Sequence, residues 1–180
     1  MKQEIIIAGF GGQGVLSLGK ILAYSGIMQG LEVTWMPSYG PEMRGGTANV
    51  TVVLSDQPIS SPIAHEYDTV VVLNQQSLDK FESHVKPGGI LIYDPNGISH
   101  PPTRQDIQIF KVDATLQAAK MGNPRTFNMI VLGAMLAVSP NVTLENAYKG
   151  LEKSLPERLH GTLPANREAI EVGTRIVEKV

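Results

Sequence analysis

Apolar positions along the chain fall into short continuous runs and longer helically spaced ones, in alternation. Ile5-Ile6-Ile7-Ala8 reads as a short apolar strand, and Thr69-Val70-Val71-Val72-Leu73 and Ile90-Leu91-Ile92-Tyr93 as buried strands, the former covered on both faces. Leu31 to Met36 and Ile107 to Val112 read as two more. Thr47 to Leu54 alternates instead. Ala48, Val50, Val52 and Leu54 fall on one side, and Thr47, Asn49, Thr51 and Val53 on the other. That is a half-buried strand. No helix separates it from the preceding loop, so it is expected to run antiparallel to its neighbours.

Helical spacing begins at Val15 and runs to about Gln29, with Val15, Leu18, Ile21, Leu22 and Met28 on the packing face. Leu16 and Ile27 fall on the far side, toward a second layer or another subunit. A second helix is expected from Asn74 to about His84. A third is expected from an Asp113 N-cap to Lys120. Arg125 to Val138 is apolar nearly all round, which predicts a helix buried on several sides by this chain or a partner. Asn128 within it needs a hydrogen-bond partner. Thr143 caps a helix carrying Leu144, Ala147, Tyr148 and Leu151. Leu163-Pro164 opens a last one with Ala169, Val172, Gly173, Ile176 and Val180 on one face. Strands alternating with helices predict an α/β fold: a Rossmann-like, mostly parallel sheet, helices on both faces, and one antiparallel strand. No linker or repeat divides the chain, so residues 1–180 are read as a single domain.

Between the first strand and the first helix lies Gly9-Phe10-Gly11-Gly12-Gln13-Gly14. Gly9, Gly11 and Gly14 have the spacing of a dinucleotide fingerprint. By that pattern Gly9 permits the tight turn, Gly11 admits an anion or another chain close to backbone, and Gly14 lets the helix lie close on the strand. Free N–H groups at the helix start favour an anion. A nicotinamide dinucleotide site also needs a carboxylate at the end of the second strand. That strand ends Met36-Pro37-Ser38, and Glu32 sits at its beginning. The alternative is a tight turn without a ligand.

The second informative stretch is Pro37-Ser38-Tyr39-Gly40-Pro41-Glu42-Met43-Arg44-Gly45-Gly46, a loop by composition. A loop at the carboxyl end of a strand is where open α/β sheets place ligands. Arg44 before two glycines offers a guanidinium fork and exposed N–H groups to a phosphate or carboxylate. An Arg44–Glu42 ion pair that pins the loop is the alternative. Ile59-Ser60-Ser61-Pro62-Ile63 is read as a plain connection, and Asp94 before Pro95 as a turn residue.

A net charge of −2 with no basic block argues against nucleic acid. Met129 to Val138 is about half the length of a membrane span, and Glu4 interrupts any secretory leader, so a cytoplasmic location is expected. There is no cysteine, which excludes a cysteine nucleophile, a disulfide and a cysteine-ligated iron–sulfur cluster in this chain. The histidines, His65, His84, His100 and His160, are scattered, and no metal site is assigned.

Taken together, the two glycine-rich segments carry a resemblance. With Ile59-Ser60-Ser61-Pro62, Gly122-Asn123, Asn128-Met129 and Leu132-Gly133-Ala134 in the same order, the chain resembles the gamma subunit of 2-oxoacid:ferredoxin oxidoreductases, the pyruvate/ketoisovalerate oxidoreductase family. The likeness covers Ile5 to about Ala137. The Pro37–Asn49 segment is most similar to the 2-oxoglutarate type. The resemblance implies oxidative decarboxylation of a 2-oxoacid to its acyl-coenzyme A, with ferredoxin as electron acceptor. It implies thiamine diphosphate and 4Fe–4S clusters in alpha, beta and ferredoxin-like delta partner subunits. This chain has no Gly-Asp-Gly thiamine diphosphate motif. It is expected to be inactive alone, with no catalytic residue of its own. Gly9, Gly11, Gly12, Gln13, Gly14, Tyr39, Glu42, Arg44, Gly45 and Gly46 are the expected contacts to a cofactor, coenzyme A phosphates among them, or to the partner. Two alternatives stand beside this: a scaffold subunit with no ligand contact, and a stand-alone nucleotide-binding oxidoreductase.

Overall fold

The computed structural model describes residues 1–38 and 47–180. Its strands are β1 (Lys2–Phe10), β2 (Glu32–Ser38), β3 (Thr47–Ser55), β4 (Tyr67–Val72), β5 (Val85–Tyr93), β6 (Gln108–Lys111) and β7 (Glu178–Lys179). The helices are α1 (Val15–Met28), α2 (Gln75–Phe81), α3 (Ala114–Lys120), α4 (Phe127–Val138), α5 (Leu144–Ser154) and α6 (Leu163–Ile176). The strands form one seven-stranded sheet in the order β2-β3-β1-β4-β5-β6-β7. β1, β4, β5 and β6 pair in parallel. β3 runs antiparallel to both β1 and β2, as the lack of a helix before it predicts, but from Val50 to Ser55 it is buried on both faces rather than half-buried.

Two features depart from the sequence reading. The antiparallel strand has a counterpart at the other edge, because α6 stops at Ile176 and β7 pairs antiparallel with β6. Val180 is therefore not on a helix face; it is 69% exposed. Met28 also leaves the packing face of α1 and is partly exposed. At the end of a helix that face is already turning away from the sheet.

β1 lies in the middle because its isoleucines serve both layers. Ile5 and Ile7 pack with Val50, Val52 and Leu54 against α1, α3, α4, α5 and α6. Ile6 and Ala8 pack with Val70, Val72 and Leu91 against Leu78 and Phe81 of α2. Helices cover both faces, as expected, with most of them on one. α4 is buried by this chain's own elements, against α6, α3 and α1. Its approach to α6 is close: a Cβ on Gly133 would collide with the Ile170 carbonyl, and one on Gly173 with the Ile130 carbonyl.

The connection from β1 through α1 to β2 skips one position in the sheet, and β3 returns antiparallel to fill it. Ser38 stands opposite Asn49, and Thr47 opposite Phe10. The residues flanking 39–46 therefore lie at the sheet edge where β1 ends.

At the opposite end, where the parallel strands begin, Lys86 Nζ donates to Glu4 Oε2 at 2.7 Å and to Asp68 Oδ2 at 3.0 Å, joining β1, β4 and β5. Burial opposes the Glu4 charge, but Lys86 and Lys2 outweigh it and hold the carboxyl below its ordinary range. Burial likewise opposes the Lys86 charge, and Glu4 and Asp68 outweigh it and raise the ammonium. Glu4 thus contributes stability above the ordinary glutamate range, lost as pH falls through its lowered folded value. Lys86 contributes below the ordinary lysine range, lost as pH rises through its raised one.

Two outcomes are expected. Lys86→Met should lower stability near neutrality and flatten its fall toward acid and toward strong base, read by urea unfolding across pH. Gly133→Ala should cost about 1–3 kcal/mol in the same assay, because overpacking must push α4 and α6 apart.

Candidate functional site

The glycine turn is built at the carboxyl end of β1. Gly9 is still extended strand, and the positive φ values fall on Gly12 (93°) and Gly14 (75°) instead. The reason Gly9 is glycine is steric. A Cβ there would lie 2.5 Å from Gln13 Oε1 and 3.0 Å from the Leu73 side chain. The cleared space holds the Gln13 amide. Its Oε1 accepts from the Phe10 N–H at 2.6 Å, and its Nε2 donates to the Leu73 carbonyl at 3.1 Å. Gln13 thereby ties the end of β1 to the residue following β4. Its own main-chain N–H is turned back to the Phe10 carbonyl at 3.3 Å, so it is not offered to an anion as the sequence suggested.

Gly14 caps α1 in the left-handed conformation, with no side-chain cap. Its absent side chain makes room for α4 rather than for the strand: a Cβ would lie 2.5 Å from Asn128 Nδ2. That amide donates to the Gly14 carbonyl at 3.4 Å, which supplies the partner the sequence demanded for Asn128. The first intrahelical bond is Leu18 N–H to Gly14 at 2.9 Å. The first-turn N–H groups ahead of it carry the partial positive charge of the helix start.

Two hollows flank this turn. Gly12, Gln13 and Gly14 line a cavity of about 390 Å³ with Thr115, Arg125 and Asn128. Gly11 and Gly12 line a second of about 300 Å³ with Phe10, Ser17 and Ala48, beside the start of β3. Tyr39, Glu42, Arg44, Gly45 and Gly46 lie outside the described residues. Arg125 is the charged residue of the first cavity that sequence reasoning missed as a contact. Its signal was its position after Gly122-Asn123-Pro124, where a short 3-10 turn, Pro124–Thr126, delivers the chain into α4.

Asp94, at the end of β5, is buried and fully used. Oδ2 accepts from the Thr115 N–H at 3.0 Å and Oγ1 at 2.6 Å, and Oδ1 accepts from the Asn96 N–H at 2.9 Å. It therefore supports the turn and the start of α3, not a ligand. It also does the capping expected of Asp113, whose side chain instead accepts from Asn96 Nδ2 at 2.6 Å. Among the described residues no three histidine or carboxylate side chains gather as a metal site, and no helix is long and apolar enough to cross a membrane.

Among the described residues, the two hollows at the glycine turn bring together no nucleophile with an acid–base partner. Residues 4–176 match the pyruvate ferredoxin/flavodoxin oxidoreductase family. The chain belongs to that family. It is 32% identical over its whole length to the 2-oxoglutarate synthase subunit KorC of Methanocaldococcus jannaschii, covering 96% of that protein. It is 39% identical over 97% of its length to the ketoisovalerate oxidoreductase subunit VorA of Methanothermobacter thermautotrophicus, but spans only 35% of that longer chain. The crystal structure of a keto/oxoacid ferredoxin oxidoreductase gamma subunit from Geobacter sulfurreducens superposes with a TM-score of 0.85 at 29% identity, covering 98% of this chain and 96% of that one. The gamma-subunit resemblance read from the glycine segments is borne out.

Within this oxidoreductase-family chain, Gln13→Ala should release the Phe10 N–H and untie β1 from Leu73. The expected result is faster amide exchange at Phe10 and a loss of about 1–2 kcal/mol in unfolding free energy. Unchanged exchange at Phe10 would show that the clamp does not hold the turn.

Proposed function

We propose that this chain is the gamma-type component of a multi-subunit 2-oxoacid:ferredoxin oxidoreductase, with 2-oxoglutarate as the oxoacid. The assembled enzyme carries out oxidative decarboxylation to the acyl-coenzyme A and passes electrons to ferredoxin. Alpha, beta and ferredoxin-like delta partners in the cytoplasm hold thiamine diphosphate and the 4Fe–4S clusters. This chain alone is inactive and contributes no catalytic residue. Cofactors perform the difficult steps, and protein supplies binding and orientation.

Its own share is to receive a phosphate of coenzyme A at the glycine turn. The observation that carries this is the cavity of about 390 Å³ where Arg125 stands with Gly12 and with Gly14, the N-cap residue of α1. A guanidinium on one side of that cap and the first turn of α1 in the adjoining hollow on the other favour an anion at the turn. The flanks of 39–46 support a contribution from Tyr39, Glu42, Arg44, Gly45 and Gly46, because Thr47 stands opposite Phe10 beside the same turn. A second reading, a scaffold without ligand contact, is favoured by one observation. The Gln13 and Asn128 amides account for Gly9 and Gly14 with no ligand at all.

The assembled enzyme separates the two. Arg125→Ala and Arg44→Ala should each raise the KM for coenzyme A about ten- to hundredfold, the cost of a lost charge-assisted hydrogen bond, and leave the complex intact. An intact complex with unaltered coenzyme A kinetics in both variants would reduce the chain to a scaffold.

A further inference from the structure

The two edges of the sheet are finished differently. At one end β7 presents Glu178 and Lys179. At the other, among the described residues, β2 is paired only on its β3 side; it has Glu32 at its start and Pro37 near its end, and between them Trp35 and Met36 stand 38% and 37% exposed. Charged residues and proline blunt an edge where they stand, and an apolar stretch left open between them invites another chain. Beside it, α1 exposes Ile27 at 53%. Tyr24, Ile27, Val33 and Trp35 line a groove of about 330 Å³ between α1 and β2, and Lys20 is its one charged lining residue. An exposed apolar groove of this kind marks a contact surface.

The same domain makes up a third of the VorA chain and nearly all of the KorC chain. A surface that meets a covalently joined neighbour in the first must hold its neighbour without that bond in the second. Such a surface needs apolar anchors of its own.

We propose that the β2–α1 groove seats an apolar segment of a companion polypeptide of the oxidoreductase, carrying a carboxylate opposite Lys20. This rests on the reading of the chain as a component of that enzyme. The test uses the tagged chain in its native host, comparing the unaltered form with Ile27→Glu, Trp35→Glu and Lys20→Glu. Thermal unfolding of each purified chain verifies that the surface changes leave the fold intact. The readout is the amount of co-purified companion that restores thiamine diphosphate-dependent 2-oxoacid oxidation. Recovery should fall at least about tenfold in each variant, as for loss of an interface anchor, and return in Ile27→Leu and Lys20→Arg. Equal recovery from all forms overturns the docking site and leaves the functional assignment standing. No such companion with the unaltered chain overturns both. A dimer of this chain that the variants dissolve overturns the proposal in favour of self-association.

Discussion

The Gln13 side chain is the interaction on which the carboxyl edge of this fold depends. A single amide accepts from the last residue of β1 and donates to the residue following β4. Those strands are neighbours, and the divergence of the chain to either side of them would otherwise leave a cleft between their ends. Gly9 lacks a side chain because the amide occupies that volume. The turn then has one course available, and α1 starts where Gly14 meets Asn128. A motif that in dinucleotide folds makes room for a cofactor here makes room first for the protein's own amides.

The same economy of space runs through the helical layer. Gly19 and Gly26 bring α1 onto Val50 and Leu54 of β3, and Gly150 brings α5 onto Ser25 of α1. Gly133 and Gly173 do the same between α4 and α6. Close-packed interiors leave no slack for an added methylene. The cradle of Gly12, Gln13 and Gly14 is positioned through these contacts, because α4 carries Asn128 to one side of it and the turn before α4 carries Arg125.

Much of this architecture was legible in the residues. The continuous apolar runs located β1, β4 and β5, because strands covered on both sides have no polar face to show. The alternation from Thr47 to Leu54 located β3, and the missing crossover helix gave its direction, while its burial on both faces was not visible because Thr51 and Ser55 are polar. What escaped was set by tertiary neighbours. Val177 and the residues after it leave the helical path because β6 offers an edge to pair with, and no local signal marks that. Asp113 is the N-cap residue of α3, but the side-chain bond to the Thr115 N–H comes from Asp94, which the end of β5 places beside that helix start. Arg125 was read as the beginning of a helix, and its role depends on α4 crossing over the glycine turn. Glycine spacing was recognised correctly while its cause was not, since the bulk that Gly9 and Gly14 avoid comes from Gln13 and Asn128.

The antiparallel return of β3 has an evolutionary consequence. Parallel neighbours are joined by a crossover whose length is tied to the helix it contains. β2 and β3 are ladder partners about 5 Å apart, so the stretch between them opens and closes at one place. Natural selection can rewrite, lengthen or shorten that stretch while every layer beneath keeps its coordinates. A lineage can thus vary that stretch and inherit the scaffold unaltered.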